Sequence, residues 1–383
     1  MFFEKVKTKR ESIEIIQSNL SSVLKYNNYK RQDIFMSAQI LTNQEEPNDQ
    51  KLTVSFKVLL GLYAIIPLCF LLQMADVWFW HGFLKENLPT KPTHFLLFQI
   101  LFGTPHILAS TFVLVGSIEY IKYYRRHLMT MTIAIAIVFG VGSLFIPYQV
   151  FYVFVAAWTV YHVLKQQHGV VRGICRLPLW AFYLLLGLSV AAGLCVYIGI
   201  FLKNSLEPQQ TEWIKQSATL LCLSLILSAL YCQRYVNNSF GKWFLWSNIL
   251  LVVSSFYFFV QHYYFLAILV PRLVHDATAY SFYITHDYNK HHKHPQNCLY
   301  RYAARLNINV FIVLPLCSFI LAFVLQAYGD NLVSGLTKFL FGVDIHKAIT
   351  LGLLGYLALM HYYTESITWK GDSPYRRFIA FSK

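Results

Sequence analysis

Apolar residues run along this chain in blocks of about twenty, separated by short polar stretches. The blocks fall at 53–75, 93–119, 128–146, 148–171, 178–202, 214–233, 243–261, 263–289, 306–328 and 346–369. Each is close to the length a helix needs to cross roughly 30 Å of hydrocarbon. The runs are continuously apolar rather than alternating, which favours helices over the strands of a membrane barrel. The spacing therefore predicts an all-α, polytopic membrane helix bundle of about ten transmembrane helices. Pro147 alone separates the third and fourth blocks and predicts a tight hairpin. The seventh and eighth meet near Gln261 and His262; if they form one kinked helix, the count is nine.

Three segments follow from this pattern. Residues 1–50 are polar and lack the apolar core of a signal peptide. Within them Ile13, Ile16, Leu20 and Leu24 fall at helical spacing, so this segment reads either as a short helix on the membrane surface or as a solvated tail. Residues 51–370 hold the bundle, and 371–383 form a basic tail.

Loop charges give an orientation, because cytoplasmic loops hold the excess of Lys and Arg. With the N-terminus inside, the inner loops carry Lys122, Arg125 and Arg126; Arg172 and Arg176; Arg234 and Lys242; Lys290, Lys293, Arg301 and Arg305; and Lys370, Arg376 and Arg377. The outer loops carry Lys85, Lys91, Lys203, Lys215, Lys338 and Lys347, offset by nearby acids. Both termini are then expected in the cytoplasm. Composition agrees: 56% of the 383 residues are hydrophobic and 13% charged, against roughly 25% charged in soluble domains. Mean hydropathy is +0.45. The net charge of +14 reflects basic loops facing an anionic leaflet, and no basic, aromatic-interleaved segment points to nucleic acid. The seven cysteines are scattered, with no Cys-x-x-Cys pair, and imply neither a disulfide framework nor a thiolate metal site.

Histidine carries the candidate chemistry. Ionisable groups inside membrane spans are costly and mark function. His106 follows Gly103 and Pro105 in the second block. His162 and Gln166 share a helix face in the fourth, and His168 lies about 120° from His162, so one of these two histidines is the better ligand candidate. The eighth block repeats His-Asp eleven residues apart, as His275-Asp276 and His286-Asp287, followed by His291 and His292. His275 and His286 project from one face but stand roughly 16 Å apart, too far to bind one ion. Either they serve two layers of a site or one supports the other. In the tenth block His361 and Glu365 stack one turn apart, a spacing that helix-bundle iron sites use in related form. His81, His94, His262 and His346 fall at the outer ends and read as interfacial.

The expected metal ligands are thus His106, His162, His168, His275, His286, His291, His361 and Glu365. Asp276, Asp287 and Tyr283 are the candidates for catalytic support. Imidazoles with few carboxylates and no thiolates suit iron, zinc or copper. Inert alkyl or polyene chains in the bilayer call for activated oxygen, which favours non-haem iron, one or two ions, over zinc or copper.

A resemblance points the same way. The His286-x4-His291-His292 tract resembles one histidine box of membrane fatty-acid desaturases and hydroxylases. His162-x5-His168 is one residue longer than the first box of those enzymes, and no further His-His pair follows. Gly103-Thr-Pro-His106 resembles the Gly-x-Pro-His of bacterial membrane β-carotene dioxygenases, though Ile107 and Ser110 stand where that family has Gly and Asp. The His275, His286 and His361-to-Glu365 combination is most similar to a group of bacterial membrane proteins without a stated function. These likenesses imply a multi-pass protein of the bacterial inner membrane, a lipid, isoprenoid or carotenoid substrate, and an electron donor as possible partner. A proton-coupled transporter using His275, Asp276, Asp287 and Glu365, a haem protein, and a metal-free lipid-transferring enzyme are the competing expectations.

Overall fold

The computed structural model describes residues 51–90, 98–295, 297–371 and 373–382. From Leu52 onward they belong to one compact unit. The amphipathic positions Ile13 to Leu24, the start of the second block and His94 lie outside the described residues.

A helix occupies each of the ten expected positions. They are α1 (Phe56–Trp78), α2 (Gln99–Val115), α3 (Ile118–Leu144), α4 (Tyr148–Cys175), α5 (Leu179–Phe201), α6 (Pro208–Tyr235), α7 (Ser239–Val260), α8 (Tyr264–His291), α9 (Val310–Phe341) and α10 (348–368). Among the described residues, α1, α3, α5, α6, α7 and α9 are long and apolar enough to cross a membrane. The chain is an all-α membrane-type bundle. α2 is shorter, and α4, α8 and α10 fall short of the same measure because they carry the ionisable residues.

Local chemistry sets the helix boundaries. Pro147 precedes α4 with φ −57° and ψ 141°, as the expected hairpin requires. Glu207 and Gln210 form a reciprocal cap at the start of α6. Asn238 caps α7 and Asn309 caps α9, each accepting a backbone N–H. α7 and α8 are separate helices: His262 adopts φ +65° at the turn between them, so the single kinked element does not form. Two boundaries depart most from the expected spans. α3 starts at Ile118 rather than 128, because Lys122, Arg125 and Arg126 end an apolar run without ending a helix. α9 continues past 328 to Phe341 through a π-helical turn at Leu325–Gly329.

Pro271 interrupts the hydrogen-bond ladder of α8 one turn before His275. Lacking an N–H, it leaves the Ala267 carbonyl without its helical donor. Ser255 on α7 supplies one instead, at 2.6 Å. Two carboxylates tie other joints. Asp76, fully buried at the end of α1, accepts from the Leu84 and Lys85 backbone and from the Tyr263 hydroxyl. Asp330 accepts from the Ile349 and Thr350 backbone at the start of α10.

At the opposite end, β1 (Thr53–Ser55) pairs in parallel with β2 (Ala380–Ser382), Thr53 opposite Ala380. Asn289 of α8 locks this joint. Its side chain accepts from Leu52 N at 2.8 Å and donates to the carbonyls of Leu52 and Phe378. The residues expected as a basic tail thus include a 3-10 turn, Pro374–Phe378, and a strand.

Candidate metal centre

Four helices bring their polar residues to one place. α2 supplies His106, α4 His162, α8 His275 and Asp276, and α10 His361 and Glu365. All six are buried, His106 and His275 completely. The four imidazoles stand as the corners of a ring. Centroid separations are 5.2 Å for His106 and His275, 5.0 Å for His275 and His162, 5.1 Å for His162 and His361, and 4.6 Å for His361 and His106.

Two overlapping sets of atoms could hold a metal ion: His162, His275, His361 and Glu365, and His106, His275 and Asp276. Within each set the donor atoms lie within 4.8 Å of one another. His275 belongs to both, and neither of its ring nitrogens has a hydrogen-bond partner. Leaving a buried polar group unpaired costs about 1–3 kcal/mol, so an imidazole in this state is completed by an ion or a water rather than by the side chains around it.

The neighbouring hydrogen bonds fix two tautomers. His106 Nδ1 donates to the Gly103 carbonyl at 2.8 Å, with Asp276 Oδ1 at 3.2 Å. Its Nε2 therefore carries a lone pair. Ser110 donates its hydroxyl to the Ile107 carbonyl at 2.8 Å, so His361 Nδ1 is the donor to Ser110 Oγ at 2.7 Å. His361 Nε2 is then also a lone pair. These two Nε2 atoms face each other at 3.0 Å. Two lone pairs at that separation repel unless a cation is shared between them. Ligand nitrogens about 2.1 Å from one ion and at right angles stand about 3.0 Å apart. His162 Nε2 lies 3.1 Å from Glu365 Oε2 but outside hydrogen-bond angles, a spacing of the same kind.

Surrounding groups hold the carboxylates. Glu365 accepts from Gln166 Nε2 at 2.8 Å and from the Tyr283 hydroxyl. Asp276 is paired with Arg272 one turn earlier on α8, at 3.2 Å. That pair is close to neutral, so Glu365 is the net anionic group beside the imidazoles. The Tyr362 ring lies 4.6 Å from His162.

Of the residues expected in the site, His106, His162, His275, His361, Glu365 and Asp276 come together, and Tyr283 touches Glu365. Three histidines do not join them. His168 sits in a separate knot, bonded to Ser189 at 2.9 Å and to Asn248 at 3.0 Å. The Asn248 amide donates to Nδ1, which puts the proton on Nε2 and leaves no lone pair for a metal. It faces away because it lies about 120° from His162 on a helix that does not bend at Gly169. His286 lies three turns beyond His275, bonded to Tyr120 at 2.7 Å and to Asp287 at 3.1 Å. His291 stacks on Tyr300 at 4.1 Å. Asp287 belongs with His286, where it also accepts the Tyr300 hydroxyl. His81, His262 and His346 are exposed.

Sequence reasoning missed the role of Arg272, although its i,i+4 relation to Asp276 was readable as a helical ion pair. It also treated Ser110 only as a departure from a family pattern, whereas its oxygen orients His361. Comparison of the chain with protein-family models, with curated proteins and with solved structures finds no match.

Proposed function

We propose that this protein is a membrane-embedded, non-haem iron oxidoreductase that acts on a lipid or isoprenoid drawn from the bilayer. The observation that carries the reading is the pair of facing lone pairs on His106 and His361, beside an entirely buried His275 with no partner of its own. Three imidazoles and one carboxylate form a ligand set suited to a redox-active first-row metal and leave coordination positions open. The set His106, His275 and Asp276 offers a second position, so one or two ions fit the arrangement. Iron is preferred over zinc or copper because an alkyl or polyene chain reacts only with a strong oxidant; bound iron would supply oxygen activation.

The protein's own residues prepare the site. Gly103 and Ser110 hold the tautomers of His106 and His361. Asp276 Oδ1 stands 3.2 Å from His106 Nδ1 and accepts no hydrogen bond, which leaves it available to the second position. Gln166 and Tyr283 keep Glu365 from rotating away. The surrounding helices exclude bulk water, which preserves the strength of these charge contacts.

The haem reading is less favoured, because imidazoles 4.6–5.2 Å apart leave no slot for a macrocycle between them. For topology, the pairing of β1 with β2 supports an even number of crossings, ten rather than nine, and the loop charges support cytoplasmic termini. Residence in a bacterial inner membrane accords with the groups the chain resembles. The test is purified protein in liposomes of bacterial lipid extract, loaded anaerobically with Fe(II) and then given oxygen. Oxygen uptake and oxidised lipid products above those of His275→Ala are expected. Iron retention with no oxygen uptake on any lipid or polyene supplied would contradict the oxidoreductase reading. Proton flux without bound metal would favour transport.

A further inference from the structure

A second buried polar group lies beside the centre, and nothing proposed above uses it. It comprises His286 and Asp287 of α8, Tyr120 of α3, Tyr300 and Tyr375. Its hydrogen bonds have a direction. The Asp287 carboxylate accepts the Tyr300 hydroxyl on one oxygen and His286 Nδ1–H on the other, at 3.1 Å. His286 Nε2 is left with a lone pair, and it accepts the Tyr120 hydroxyl at 2.7 Å. This order, hydroxyl to imidazole to carboxylate, is that of an activated proton donor and acceptor.

A narrow cleft joins this group to the metal centre. Its lining includes Ser110, Tyr283 and Glu365, which touch the cluster, and Tyr120 and Tyr375, which touch His286. Tyr375 is 3% exposed, stacks on the His286 ring at 4.4 Å, and its hydroxyl has no hydrogen-bond partner. A buried hydroxyl lining a polar cleft is satisfied most simply by water.

We propose that this cleft is a water-filled proton path, and that Tyr120, His286 and Asp287 form the proton station for the centre. The proposal rests on the metal reading only for the path's destination. A proton arriving through cleft water binds the Tyr120 oxygen while Tyr120 passes its own proton to His286 Nε2. An O–H bond of the protonated water breaks as a new Tyr120 O–H bond forms, and the original Tyr120 O–H bond breaks as the His286 N–H bond forms; the water is left neutral and there is no oxidation or reduction. His286 becomes an imidazolium against the Asp287 carboxylate, and the reverse transfer returns the proton. Asp287 favours that charge. Lys290, whose Nζ lies 3.8 Å from the Tyr120 ring centre, opposes it and keeps the station returnable. His291 and Tyr375 also neighbour His286, with Arg376 and Arg377 beyond them. Reduction of oxygen consumes protons, so a dry centre requires such a supply.

Hydrogen–deuterium exchange of the ring N–H groups of His106 and His361 tests the path. It is read by nitrogen-15 magnetic resonance on chelator-stripped protein in detergent. Tyr120→Phe and Tyr375→Phe, which remove one oxygen each, are expected to slow exchange by at least about tenfold. Tyr363→Phe, at an exposed hydrogen bond with His127, should leave it unchanged. A purely structural role for the two hydroxyls predicts the opposite sign, since looser packing speeds exchange. Rates that are unchanged or faster in both variants would overturn the path. The readout needs no bound ion, so loss of the metal reading would show in metal analysis alone.

Discussion

His168 and His275 show how position on a helix decides what an imidazole does. Both are buried histidines on polar helices, yet His168 has both nitrogens occupied and His275 has neither. Substitution therefore separates the two. His168→Ala removes two hydrogen bonds and strands Asn248 and Ser189, so it should lower stability by about 1–3 kcal/mol while leaving metal content unchanged. Thermal unfolding in detergent, followed beside metal analysis, checks this; lost metal with an unchanged melting temperature would refute the assignment. The residue types of the site were legible in the sequence, because intramembrane ionisable groups stand out against an apolar background. Which of them share a point was only partly legible. The i,i+4 pairs His162 with Gln166 and His361 with Glu365 were readable and do meet at Glu365. The histidine-rich end of α8 drew attention by density alone, and density does not report which way a ring points.

At the scale of elements, the site depends on how α8 is supported where Pro271 breaks it. The Ser255 hydroxyl on α7 replaces the missing donor to Ala267, about two turns before His275. Ser255→Ala should cost about 1–3 kcal/mol, the penalty of a buried carbonyl left unsatisfied. Because the defect lies at the break in the helix that carries His275, weakened metal retention on dialysis should accompany it. Full stability and full retention in Ser255→Ala would show that the break in α8 is satisfied some other way. Helix positions were legible because the hydrophobic blocks are long, whereas helix ends were less so. An amphipathic helix such as the start of α3 passes from lipid to water without changing its backbone, and hydropathy marks only the lipid boundary. The interhelical donor at Pro271 was not legible, since it joins residues on different helices.

For the molecule as a whole, the joining of both ends of the described chain at one sheet has a topological consequence. Thr53 and Ser382 contact each other through their hydroxyls at 3.0 Å, so an even number of crossings, as proposed, is required of the chain between them. Single cysteines at Thr53 and Ser382, in a background lacking Cys298, should react with an impermeant maleimide only after the cytoplasmic side is opened. Labelling of either one in intact cells would overturn the cytoplasmic assignment. The same architecture makes the candidate metal centre a product of tertiary assembly: α2, α4, α8 and α10 each contribute, and no single helix holds a complete candidate ligand set. The most direct measurement is metal content with X-ray absorption on purified protein, comparing the natural chain with His275→Ala. The account predicts about one to two ions per natural chain in a shell of imidazole nitrogen and carboxylate oxygen at about 2.0–2.2 Å, and metal lost from a still-folded His275→Ala. Equal metal content in both proteins, or a natural chain that holds none after growth in iron-replete medium, would contradict it.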